Sequence, residues 1–205
     1  KANITAIAEV LARLYPQHLL HSESVQCEYS AKPPESILGA ESGSRAAFLI
    51  DASTDAWARV IKVEIVDQRL PNAVAIEPDP ELSTPPIIRI STALLERLPD
   101  EAALAFILAH EMSHLRSGKI PAQLDGILLS PRQIARIAET HQRWEEEADA
   151  EATRVIFAAG YANASGSDVL SQLRGFDVAA GALFRSHPKI DLRIEALARL
   201  RATTS

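Results

Sequence analysis

The amino-acid sequence predicts a single α+β domain, mostly helical, with a small sheet. Three observations carry that expectation. Residues 60–91 hold β-branched, partly alternating runs; residues 4–14 repeat apolar side chains at helical spacing; and most of the chain after Pro99 has helical character. A chain of 205 residues is also the right size to bury one sizeable core.

The elements follow in order. Ile4, Ile7, Val10, Leu11 and Leu14 mark a first helix, closed by Pro16. Residues 28–46 contain Pro33-Pro34 and a Gly/Ser-rich patch from Gly39 to Ser44, and read as loop. Val60–Val66 reads as a strand and Asn72–Ile76 as a second, shorter one. Four prolines between Pro78 and Pro86 dictate an irregular connection, and Ile87–Ser91 resumes as strand. The prolines on its flank favour an edge position. A helix then runs from Pro99 and Asp100 to a stop at Gly118, with Leu104, Ile107, Leu108 and Leu115 on one apolar face. Ser130-Pro131-Arg132-Gln133 is a capping box with proline at the first helical position. The helix it opens can continue to Gly160, about 29 residues or ~43 Å. Shorter helices are expected near Asp168–Arg174, Asp177–Phe184 and Pro188–Arg201.

Composition narrows the function classes. The net charge is −6 and the 21 Lys and Arg are scattered, so there is no electrostatic case for nucleic acid or anionic lipid. The lone Cys27 has no internal partner and reads as a small hydrophobe. No run approaches the ~20 apolar residues of a membrane span, so no transmembrane segment is expected in this chain. The first residues lack an initiator Met and a secretory apolar region, which reads as a processed or trimmed product.

The chemistry is concentrated in the helices. His110-Glu111-Met112-Ser113-His114 is an HExxH pattern. Positions i and i+4 project from one helix face, so two imidazoles there can ligate one Zn²⁺. Glu111 lies about 100° around the helix, where a base for a metal-activated water belongs. One further protein ligand is needed. The long second helix carries a stripe of Ile134, Ile137, Ala138, His141, Ala148, Ala152, Val155 and Ile156, and Glu145 falls on it. A carboxylate on such a stripe is costly unless paired or bound to a cation. Pairing with an Arg, or a solvated stripe edge, is the alternative. Asp149, one turn on, could accept the second ring N–H of His110 or His114 and fix its tautomer, or be an ordinary surface aspartate. His141 would close the site as a fourth ligand, and so reads as a supporting or core histidine.

Three motifs then stand in order: His110–His114, Glu145-Glu146-Glu147-Ala148-Asp149, and His187-Pro188 through Arg193-Ile194. The set resembles the HtpX-like and CAAX-prenyl-protease-like gluzincin metallopeptidases, whose pattern is HExxH, ExxAD and HPxxxxRI. The similarity covers roughly Val60 to Leu200. It implies a zincin-like catalytic core over 56–205 of a single domain spanning 1–205; residues 1–55 have no clear counterpart in the family and read as an N-terminal helical and loop extension, a candidate regulatory segment. It implies one Zn²⁺ per chain held by His110, His114 and Glu145, with Glu111 as base. The resemblance places His187 and Arg193 near the cleft, where either could donate to a developing oxyanion; the alternative is a helix-entry turn at His187-Pro188 and a helix-surface Arg193. The strand Ile87, Ile88, Arg89, Ile90 and Ser91 matches the substrate-binding edge strand, although the usual Gly-rich turn before it is replaced by Pro78–Pro86. Only 31 positions separate His114 from Glu145, so the chain looks like the compact soluble members rather than those with membrane helices in that interval. The resemblance leans toward the cell envelope rather than the cytoplasm. The expected activity is endopeptidase cleavage of unfolded or loosely folded polypeptide. Its rivals are a zinc-containing binding or chaperone-like module, and a latent peptidase restrained by residues 1–30.

Overall fold

The structure is a computed structural model that describes residues 4–14, 42–51, 60–77, 85–121, 129–161, 166–180 and 190–204. Four strands, β1 (Ser42–Asp51), β2 (Val60–Asp67), β3 (Ala73–Ile76) and β4 (Ile87–Ser91), form one mixed sheet. The helices are α1 (Ile4–Leu14), the single turn α2 (Thr92–Leu95), α3 (Glu101–Ser117), α4 (Pro131–Ala158), α5 (Gly166–Ala180) and α6 (Ile190–Thr204). His187, Pro188 and Cys27 lie outside the described residues. Among the described residues no helix is long and apolar enough to cross a membrane.

The strand order is β1-β2-β4-β3. The expectation of an edge position for Ile87–Ser91 is therefore corrected: β4 pairs parallel with β2 on one side and antiparallel with β3 on the other. The physical reason is local. Pro85 and Pro86 precede the ladder, so the N–H groups they lack are not needed within it, and the Pro86 carbonyl accepts from Lys62 N at 2.9 Å. Among the described residues the edge beside β4 is the short β3. Ser91 fixes its approach by donating from N to the Asn72 carbonyl (2.9 Å) and accepting from Asn72 N at Oγ (2.8 Å). Ser91 Oγ also accepts from Leu94 N, capping α2.

Alternation sets the faces of the sheet. Ile61, Val63 and Ile65 of β2, Ile88 and Ile90 of β4, and Ala73 and Ala75 of β3 are buried together in the core. On the opposite face Glu64 is bracketed by Lys62 (2.9 Å) and Arg89 (3.2 Å). The strand β1 was not expected, since its start falls in the Gly/Ser-rich patch read as loop. Its register with β2 shifts between Ser42 and Ala46. β1 and β2 flank residue 55 and pair along their lengths.

Helix α3 runs through the middle of the core. Every residue from Ala103 to Met112 is buried, so the helix is enclosed on all sides rather than amphipathic. It starts at Asp100, whose Oδ1 accepts from Ala103 N at 2.8 Å, and stops at Gly118, held at φ 64°. Helix α4 opens with the expected capping box at Ser130 and Gln133. It lies antiparallel to α3: Lys119, just past the end of α3, pairs with Glu147, while Tyr161, just past the end of α4, donates to Glu101 Oε1 at 2.6 Å. The first half of α4 departs from the expected stripe. Ile134 and Ala138 are exposed and Ile137 and His141 only half-buried, whereas Ala148, Ala152 and Ile156 are buried. α5 is continuous where two helices were expected. Helix α1 joins the same core through Ile7, Val10, Leu11 and Leu14, and its Arg13 pairs with Glu101 at 2.8 Å.

Candidate metal centre

The site is built where three helices meet. α3 supplies His110, Glu111 and His114; α4 supplies Glu145 and Asp149; α6 supplies Arg193. All six residues are buried, with at most 2% of their surface exposed. Such burial is costly for charged groups unless each finds a partner. The helices provide partners because i, i+4 spacing puts His110 above His114 and Glu145 above Asp149 on facing sides of an antiparallel pair.

Three ligand atoms converge. His110 Nε2 and His114 Nε2 are 3.1 Å apart, Glu145 Oε2 is 3.3 Å from the first, and Glu145 Oε1 is 3.1 Å from the second. The three residues form a group whose ligand atoms lie within 4.8 Å of one another. Donors bound at ~2.0–2.1 Å to a tetrahedral zinc stand roughly 3.3 Å apart, so the observed spacings fit that ion. The chemistry fits too, since two ring nitrogens facing each other beside a carboxylate need a cation between them.

The outer ring nitrogens are also held. His110 Nδ1 is 2.9 Å from Asp149 Oδ1, and His114 Nδ1 donates to the Lys119 carbonyl at 2.7 Å. Each contact leaves Nε2 facing the third donor, the arrangement a metal-binding imidazole requires. Asp149 is gripped in turn by Arg193, whose Nε donates to Oδ2 at 2.8 Å and Nη2 to Oδ1 at 2.6 Å. Arg193 Nη2 also lies 3.3 Å from His110 Nδ1. Nδ1 cannot both donate to Asp149 and accept from Arg193. The shorter Asp149 contact identifies it as the donor, and the 3.3 Å approach follows from two donors sharing Oδ1.

The electrostatics favour positive charge at the centre. Burial and Arg193 press His110 toward neutrality, but Glu145 and Asp149 outweigh them and lift the metal-free imidazole to about 9. Burial alone would raise Asp149; the Arg193 ion pair overrides it and holds the carboxyl at about 2. Burial would also lower Arg193, yet Asp149, then Glu145 and Glu111, keep it above its usual value.

Residues 45–126 match the model of peptidase family M48. The M48 match takes in most of β1, the rest of the sheet and the HExxH helix, and agrees with the HtpX-like gluzincin resemblance carried by the motifs. M48 peptidases are zinc-dependent hydrolases, so the match supports a metallopeptidase, and the three-residue group is one that could hold a metal ion. It ends before Glu145, whose place at the centre rests on the distances above. No curated protein matches the chain.

Of the residues singled out in the sequence, the structure brings together His110, Glu111, His114, Glu145, Asp149 and Arg193. His141 stays apart, half-buried with its ring 5.5 Å from that of Trp144. His187 lies outside the described residues. Arg193 is engaged with Asp149 rather than presented to an open cleft. The Lys119 carbonyl was not anticipated; the only trace of it in the sequence is Gly118, which ends α3 and turns the chain back.

Proposed function

We propose that the chain is a zinc-dependent endopeptidase of one domain, in which His110, His114 and Glu145 hold a single ion. The observation that carries the reading is the convergence of those three donors, with Glu111 buried beside them, within a chain that matches M48. When bound, zinc supplies Lewis acidity for a water and for the scissile carbonyl. Glu111 is placed to take the water's proton and pass it to the leaving amine, as a general base and then acid. Asp149 holds His110 in the tautomer that leaves Nε2 free, and Arg193 holds Asp149. The substrate is an extended segment of unfolded or loosely folded polypeptide, added antiparallel to the outer edge of β3. β3 takes the place that β4 was expected to fill because it ends the sheet nearest α3.

Metal analysis on three proteins tests this reading. Wild type should carry about one Zn²⁺ per chain, whereas His114→Ala and Glu145→Gln should lose most of it. Full retention by Glu145→Gln would move the third ligand elsewhere. A second reading, a peptidase whose cleft must open first, is favoured by the burial of all four central side chains. It predicts a lag before cleavage that a brief protease treatment abolishes, and linear progress from the first seconds would count against it.

A further inference from the structure

His114 differs from His110 in how its outer nitrogen is held: by a backbone carbonyl, not a side chain. That carbonyl belongs to Lys119, which would ordinarily point away from the helix it follows. It turns back because Gly118 adopts φ 64°, the left-handed conformation. The turn is closed reciprocally. Lys119 N donates to the His114 carbonyl at 3.2 Å, the Gly118 N–H donates to the same oxygen, and the His114 ring donates to the Lys119 carbonyl at 2.7 Å. Ring and backbone of one residue are thus clamped by one turn. A Cβ at Gly118 would meet nothing within 4 Å. Space therefore does not require glycine there, and the backbone angle alone does.

We propose that the Gly118–Lys119 turn is a positioning device for the metal centre, its left-handed glycine holding the Lys119 carbonyl on His114 Nδ1 so that Nε2 faces His110 and Glu145. The inference rests on the metal-site reading above and adds to it a requirement on backbone conformation. Gly118 acts through Lys119 and His114 and touches neither metal nor substrate. The rival role for the turn is to end α3 and nothing more.

Two substitutions separate the roles. Gly118→Asn retains a residue that tolerates the left-handed region, while Gly118→Val disfavours it strongly. Zinc affinity would be measured by chelator competition, and the Co²⁺ derivative's visible spectrum recorded, with thermal unfolding alongside. Gly118→Val should bind zinc roughly 10–100-fold more weakly, the usual cost of losing a partner that orients a ligand, and its Co²⁺ bands should shift. Gly118→Asn should stay within about threefold of wild type, as should Lys119→Met, which keeps the carbonyl and loses only an exposed ion pair. If Gly118→Val fails to fold, Gly118→Ala gives the same comparison at milder strain. Wild-type affinity and an unchanged Co²⁺ spectrum in the Val or Ala variant, with only the melting temperature lowered, would overturn the proposal. So would an equal loss in the Asn variant. Failure of wild type to bind either metal would instead sink the metal-site reading, and this inference with it.

Discussion

Arg193→Met is the sharpest test of how the centre is supported. The Asp149 carboxylate is fully buried and receives two donors from Arg193, at 2.6 and 2.8 Å, against one from His110 at 2.9 Å. Methionine fills similar space but removes the two guanidinium donors and leaves the carboxylate with His110 alone. Breaking a buried pair from one side costs about 3–5 kcal/mol. For a chain of this size each kcal/mol moves the melting temperature roughly 2–4 °C, so a fall of roughly 6–20 °C is expected. The double variant Asp149→Asn/Arg193→Met removes both charges and should regain at least about 1 kcal/mol over the single one. The effect has a pH signature. Asp149 is held at about 2 against an ordinary 3.8, so the stability it contributes is fully present above 3.8 and is lost as pH falls through about 2. The gap between wild type and Arg193→Met should shrink over that window. Denaturant unfolding of the metal-free proteins at several pH values is the assay. A single variant within about 1 kcal/mol of wild type, and no more stable once Asp149 is neutralised, would show that Arg193 is not what stabilises the buried Asp149 carboxylate.

Three further outcomes follow from packing and topology. Deleting residues 1–14 removes Ile7, Val10, Leu11 and Leu14 from the core, four buried side chains at about 1.5–3 kcal/mol each as an upper figure. The truncated chain should unfold rather than gain activity; a folded, more active product would instead support a removable inhibitory segment. Gly166→Ala would place a Cβ 2.5 Å from Thr153 Oγ1 and 2.6 Å from Phe106 Cε2, and should cost about 1–3 kcal/mol in unfolding experiments. A crystal structure with a bound peptide should show it hydrogen-bonded along Ala73–Ile76, and a peptide lying elsewhere would remove β3 as the substrate strand.

What the sequence made legible was local. The HExxH and ExxAD spacings place donors by helical geometry alone, and both sets fall where helical periodicity put them. The capping box at Ser130 and the stop at Gly118 are likewise short-range signals with fixed stereochemistry. What it hid was non-local. Whether Ile87–Ser91 lies at an edge depends on which strands flank it, and prolines before a strand say nothing about that. Burial of α3 on every side depended on Ala103, Ala105, Phe106 and Met112 as well as the Leu and Ile positions, and on neighbours from α1, β3, α4 and α5. The exposed first half of α4 carries the same periodicity as its buried second half, because periodicity describes a stripe and not what covers it. Arg193 meets Asp149 across 44 positions of sequence, and a backbone carbonyl such as that of Lys119 leaves no side-chain signature at all.

In the proposed mechanism Glu111 moves a proton while its neighbours hold the metal. Glu111→Gln preserves size and polarity but cannot act as a base. Zinc content and cleavage of an unfolded protein substrate, measured side by side with wild type, test the claim most directly. The variant should fold, keep about one Zn²⁺ per chain and lose about 10²–10⁴-fold in rate, the range expected for a general base. A Glu111→Gln protein that cleaves as fast as wild type would contradict the account.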